Sequence, residues 1–110
     1  MRFKTTSIFD KRISKLLSED GYTEMRQALT DNPNLGVIMK GTAGLRKMRW
    51  AIGRKGKSGG ARIIYYWYSS EIEDDEIYLL FVFLKNEQEN LTSKQKLELK
   101  KFIEREYQNG

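Results

Sequence analysis

The sequence predicts a small α+β domain built on an antiparallel β-meander, with a helical hairpin before it and one helix after it. Three observations carry this expectation. Apolar residues recur at helical spacing in the first third; two long β-branched and aromatic runs occupy the middle; and a capping box opens a last amphipathic run after Leu91. Strands and helices are segregated instead of alternating, which excludes a doubly wound sheet. At 110 residues, with no Pro/Ser-rich linker and no internal repeat, positions 1–110 are expected to form one domain.

In chain order, Arg2 to Thr5 is a candidate N-terminal strand. Ser7 followed by Asp10 is expected to cap a first helix, with Phe9, Ile13, Leu16 and Leu17 on one face. Ser18 is expected to cap a second, containing Tyr22, Met25 and Leu29, which Asn32-Pro33-Asn34 ends because proline disfavours helical geometry in the residue before it. Leu45 to Ile52 then alternates: Met48, Trp50 and Ile52 share one face, and Leu45, Lys47 and Arg49 the other. Ala61 to Tyr68 is apolar and aromatic on both faces, as a mid-sheet strand requires. Ile77 to Leu84 is the third run, reached through an acidic stretch (Glu71, Glu73, Asp74, Asp75, Glu76) expected to be a solvated turn. Thr92 and Gln95 form the capping box of the last helix, with Leu99, Phe102, Ile103 and Tyr107 on one face.

Composition narrows the chemistry. Without cysteine there is no disulfide framework, zinc–thiolate site or thiol nucleophile, and the reducing cytoplasm is the expected compartment. Without histidine the usual general base and the commonest metal ligand are missing, so an enzyme here must work with Lys, Arg, Tyr or carboxylates. The start of the chain lacks the apolar run of a signal peptide, and no stretch approaches the ~20 apolar residues that span a bilayer. No membrane association, metal or cofactor is expected.

Charge is unevenly placed. The net charge is +5, yet Lys40 to Arg62 holds eight basic residues (Lys40, Arg46, Lys47, Arg49, Arg54, Lys55, Lys57, Arg62) and no Asp or Glu. That segment carries +8, and the remaining 12 basic and 15 acidic residues leave the rest at −3. A concentrated positive field attracts polyanions, either a phosphate backbone or an acidic protein. The strand residues Arg46, Lys47 and Arg49 and the loop residue Arg54 are candidate RNA contacts. Gly53 to Gly60, with three cations and four glycines, is expected to be a hairpin tip able to follow a phosphate backbone closely.

Two other motifs carry less. Gly56-Lys57-Ser58 matches the end of a P-loop, but the pattern's leading glycine falls on Ala51, and the segment joins two strands instead of opening a helix. Glu73, Asp74 and Asp75 have the charge to hold Mg²⁺, although an acidic turn is ordinarily just solvated. The aromatic residues suit core packing, with Tyr65 to Tyr68 the place where rings reach the surface. What remains is Lys55, Lys57 and Arg62 with Lys85: in a meander the second strand starts, and the third ends, at the same end of the sheet. RNA cleavage fits such a cluster because the substrate brings its own nucleophile, the 2′-hydroxyl. A lysine whose pKa is lowered by neighbouring cations can take the proton, and an arginine can clamp phosphate oxygens. Simple phosphate binding uses the same residues.

The stretch Gly41-Thr42-Ala43-Gly44-Leu45-Arg46-Lys47-Met48-Arg49-Trp50-Ala51, the stretch Gly56-Lys57-Ser58-Gly59-Gly60-Ala61-Arg62-Ile63-Ile64-Tyr65-Tyr66, and the later Lys85-Asn86-Glu87 and Leu91-Thr92 resemble the HigB branch of the RelE/ParE toxin superfamily. Asn32-Pro33 ahead of Gly36 is similar as well, so the likeness spans most of the chain. The resemblance implies a RelE-like fold and a type II toxin: a ribosome-dependent endoribonuclease that cuts messenger RNA and arrests growth. It also implies silencing by a cognate antitoxin, a helix-turn-helix DNA-binding protein encoded next to it. It places Lys55 and Lys57 near the scissile phosphate, Arg62 as transition-state clamp and Lys85 at the end of the last strand. Where relatives often carry Tyr or Arg two residues before that lysine, this chain has Phe83, which has no proton to donate. Phe83 is then left with base stacking, and Lys85 with proton transfer. The alternative of another class is a non-enzymatic protein of the same fold, a ParE-like gyrase poison or a basic module that only docks on RNA or protein.

Overall fold

The computed structural model describes residues 1–53 and 60–108. Its elements run β1 (Arg2–Thr5), α1 (Ser7–Leu16), α2 (Glu19–Asp31), β2 (Val37–Ile38), β3 (Arg46–Trp50), β4 (Ala61–Tyr68), β5 (Glu76–Leu84) and α3 (Ser93–Ile103), then a π-helical turn, Glu104–Gln108. The class is α+β, as expected, but the sheet is larger than a meander. Five strands lie in the order β1-β5-β4-β3-β2, antiparallel except for the parallel pair β1–β5.

Local chemistry sets the helix ends. Thr6, not Ser7, caps α1: its backbone is extended and its hydroxyl accepts from the Phe9 amide at 3.1 Å. The one-residue difference follows from β1, because the Thr6 amide still bonds to the Leu79 carbonyl of β5. Ser18 caps α2 through the Gly21 amide, and the helix ends at Asn32, which the following Pro33 forces out of helical geometry. Thr92 and Gln95 form the expected reciprocal box at the start of α3.

The sheet separates two cores. On one face α1 and α2 bury Phe9, Ile13, Met25 and Leu29 against Met48, Ile63, Tyr65 and Ile77. On the other, α3 and the chain leading to it bring Leu91 and Ile103 against Leu45, Ile64, Leu80 and Phe83. Lying at the centre of the sheet, β4 is buried on both faces over Ala61 to Tyr65. Tyr65 is fully buried, donates to the Pro33 carbonyl at 2.6 Å and accepts from the Gly36 amide at 2.8 Å. A Cβ on Gly36 would lie 2.7 Å from that ring, so a side chain there would displace it. Of the rings expected at the surface, Tyr66 and Trp67 are half-buried and only Tyr68 is exposed.

A β-bulge decides which residues share a face at the end of the sheet. Ile64 pairs with Phe81 and Tyr65 with Leu79, which leaves Leu80 as the extra residue. The alternation of β5 reverses there. Ile77 and Leu79 face the helical hairpin, while Phe81 and Phe83 face α3.

Candidate nucleic-acid interface

Register places the cations. Arg49 of β3 lies directly opposite Arg62 of β4, and Arg62 lies opposite Phe83 of β5. Directly opposed residues share a face with Cβ atoms ~5 Å apart, and the diagonal neighbour two positions on is ~7–8 Å away, within reach of long side chains. Lys85, two residues past Phe83, is that diagonal neighbour of Arg62; its amide donates to the Gly60 carbonyl at 3.3 Å, extending the β4–β5 ladder past the strand end. Lys47, opposite Ile64, shares the α3 face and donates to the Asn90 side chain at 3.1 Å. Arg49, Arg62 and Lys85 therefore lie at the end of the sheet where β3 ends and β4 begins, with Lys47 two residues back along β3 on the same face. Arg49 and Lys85 are exposed, Lys47 is half-buried and Arg62 is only 6% exposed.

Two candidates do not join this row. Arg46 belongs to the opposite face, opposite Tyr65. It donates to the Gly36 carbonyl at 2.8 Å, and its guanidinium sits 5.5 Å over the Trp67 ring. It is a structural clamp on the helical-hairpin side, not a neighbour of Arg49 and Arg62. Phe83, expected to stack on a base, is fully buried beneath α3 with its ring 6.0 Å from that of Phe81. A strand covered by a helix leaves that ring no face for a base. Arg54, Lys55 and Lys57 lie outside the described residues.

The acidic stretch before β5 is only partly solvated. Glu71, Ile72, Glu73 and Asp74 are exposed, but Asp75 accepts from the Trp67 indole at 3.0 Å and from the Ser70 amide at 3.2 Å. Glu76, expected in the turn, is the first residue of β5 and 5% exposed. It accepts from Tyr107 at 2.6 Å and lies 3.7 Å from Arg2 and Lys4. Burial, and then the Glu76 carboxylate, push the Tyr107 phenol well above its ordinary range. Among the described residues no group of three or more His, Cys, Asp or Glu is arranged to hold a metal ion, and no helix is long and apolar enough to cross a membrane.

Beside the cation row, an open groove of about 350 Å³ runs along the outer edge of β3, lined by Leu35, Val37, Lys47, Met48, Arg49 and Trp50. The two-residue β2 covers only the Arg46–Lys47 part of that edge. At the far edge of the sheet, beside the end of β5, Glu87 meets Arg12, which no sequence motif singles out. Arg12 Nη2 donates to both Glu87 oxygens at 2.9 Å, and Glu87 accepts from the Leu84 amide at 2.8 Å, next to Lys85. That amide, and then Arg12, hold the Glu87 carboxyl below the usual range. No protein-family model matches the sequence.

Proposed function

We propose that the protein is a ribosome-dependent endoribonuclease of the RelE/HigB kind, a type II toxin that cuts messenger RNA and is silenced by a cognate antitoxin. The observation that carries the reading is the placement of Arg49, Arg62 and Lys85 together at one end of the sheet, with Lys47 two residues along β3 on the same α3 face. Arg49 and Arg62 lie directly opposite each other on the sheet, so a phosphate bound there would meet two guanidiniums at once. The family likeness in the sequence supports the same reading and adds Lys55 and Lys57.

The chemistry needs three operations. A base removes the 2′-hydroxyl proton, O2′ bonds to phosphorus as the bond from phosphorus to O5′ breaks, and the departing O5′ is protonated, giving a 2′,3′-cyclic phosphate and a 5′-hydroxyl. Arg62, in its low-dielectric setting, meets the charge that grows on the phosphoryl oxygens, and Arg49 orients the strand. With Phe83 buried and without an acidic proton, Lys85 is the proton-transfer candidate among the described residues.

The test is the set of transcript 5′-ends after induction, with and without translation, for the wild type, Arg62→Ala and Lys85→Ala. Translation-dependent breaks that vanish in both variants are expected. Equal breakage by all three would sink the site, and intact messenger together with broken DNA would favour the gyrase-poison alternative.

A further inference from the structure

Because β1 ends at Thr5, opposite Leu79, the outer edge of β5 from Leu80 onward has no strand to pair with among the described residues. An open strand end of this kind frays. Side chains take the place of the missing strand. Thr6 donates to the Leu80 carbonyl at 2.7 Å, Arg12 Nε to the Val82 carbonyl at 2.6 Å, and the Glu87 carboxylate accepts from the Leu84 amide at 2.8 Å. Arg12 and Glu87 are themselves joined through Nη2, and the Arg12 guanidinium lies 5.1 Å over the Phe81 ring. Each of these bonds but the threonine's is charge-assisted, the stronger kind.

We propose that Arg12 and Glu87 are positioning residues for the cation site: acting as a substitute edge strand, they hold the end of β5 so that Lys85 stays diagonal to Arg62. The inference rests on the reading of that site as an RNA-cleaving centre. The geometry is two-sided. Leu84 is held at its outer edge by Glu87, while Lys85 is held at its inner edge by Gly60. The turn after β5 closes on the same point, since the Glu87 and Gln88 amides both donate to the Leu84 carbonyl, at 3.0 and 3.3 Å. Neither Arg12 nor Glu87 is required to touch RNA.

The experiment uses the full-length chain as wild type, Arg12→Ala, Glu87→Ala and Glu87→Gln, each checked for cooperative melting. Single-turnover cleavage of ribosome-bound messenger is measured across protein concentrations, alongside amide hydrogen exchange. Arg12→Ala and Glu87→Ala are expected to lower the plateau rate about 10- to 100-fold, the scale for a displaced catalytic group, with half-saturation unchanged. In Glu87→Ala the Leu84 and Lys85 amides should exchange about tenfold faster or more while Ile63 and Ile77 keep their protection. Glu87→Gln, which still offers an acceptor to Leu84, should recover much of both. Wild-type protection at Leu84 and Lys85 in Glu87→Ala overturns the proposal, as does faster exchange with an unchanged plateau, or loss of protection throughout β4 and β5. If the wild type itself leaves ribosome-bound messenger intact, the cleavage reading has failed and the positioning role falls with it, whatever the exchange rates show.

Discussion

At the turn between β4 and β5 acids meet bases; at the other end of the same two strands, bases meet bases. In the first region Glu76 is buried with Tyr107, Arg2 and Lys4 around it, and Asp75 accepts two hydrogen bonds. In the second, Arg49 opposes Arg62 with Lys85 on the diagonal, inside a segment where residues 40 to 62 include no acid. A buried carboxylate that keeps its partners contributes to the fold, whereas cations gathered on one face repel one another and gain when an anion arrives. The two ends should therefore respond oppositely to mutation: the turn end in stability, the cation end in activity.

The harshest way to break that contrast is Gly60→Ala. A Cβ at Gly60 would lie 2.2 Å from the Trp50 carbonyl, so β3 and β4 must separate where the cations converge. Overpacking against backbone is expected to cost about 3 kcal/mol, read as a lowered urea midpoint, and to abolish activity as well. A near-normal midpoint would mean that this end of the ladder is looser than its register. Arg62→Ala sharpens the contrast instead. If Arg62 meets the developing charge as proposed, its loss removes about 10²–10³ in rate, or ~3–4 kcal/mol of transition-state stabilisation. Folding stability should fall by about 1–3 kcal/mol, because Arg62 is 6% exposed and holds an interaction of its own, with part of that loss offset by removal of a like charge opposite Arg49. A large loss of stability with activity retained would reverse the assignment.

Tyr107→Phe probes the other end. It deletes the 2.6 Å hydrogen bond to buried Glu76, and a bond to a charged acceptor is worth about 1.5–3 kcal/mol; the neighbouring Arg2 and Lys4 place the loss near the lower figure. Cleavage should be unaffected. The sign of the pH dependence comes from the direction of the tyrosine shifts. The Tyr107, Tyr65 and Tyr22 phenols all titrate above their ordinary 10.0, with burial the first cause in each case. The folded state thus holds protons that the unfolded chain releases. The resulting stability is whole below pH 10 and is withdrawn as pH rises toward the folded-state values. Alkaline unfolding monitored by tyrosinate absorbance should begin there, and Tyr107→Phe should flatten it.

Legibility in the sequence differs between the two ends. The α3 capping box, the two-faced apolarity of β4 and the mid-sheet place it implies follow from residue types alone. So does the placement of Arg62 and Lys85 at the same end of the sheet, from the direction of a meander. The inward turn of Arg46 is legible as well, because it shares the odd-even phase of Met48 and Trp50, and phase decides the face. Four features have no local signal. A two-residue β2 is too short for periodicity, and β1 pairs with the strand 74 positions away from it. The bulge at Leu80 sits in an uninterrupted apolar run, where alternation cannot reveal a slip of one residue, yet it is what turns Phe83 and Lys85 toward Arg62. Glu76 reads as one more acid of a solvated turn until Tyr107, Arg2 and Lys4 are brought to it by tertiary structure.

The gentlest test of the contrast lies at the one place where the cation end borrows the device of the other, the Arg12–Glu87 pair. Glu87 titrates below its ordinary 4.5 in the folded chain, held first by the Leu84 amide and then by Arg12. A depressed carboxyl stabilises the fold above the unfolded-state value, and that contribution is lost as pH falls through the folded-state one. The side chain is 43% exposed, so solvent screens much of the interaction and the stability effect should be small. Glu87→Gln is accordingly expected to unfold like the wild type below that range and slightly more easily at neutral pH, with the two acid-denaturation curves converging as pH drops. Curves that stay parallel from neutral pH down past the ordinary carboxyl range and on into more acid solution, where a depressed carboxyl is protonated, would mean that the charge on Glu87 contributes nothing. In that event Glu87 would act on the end of β5 through its hydrogen bond to Leu84 and not through its ion pair with Arg12, and the resemblance to the opposite turn, where a carboxylate is ordered by the cations around it, would be lost.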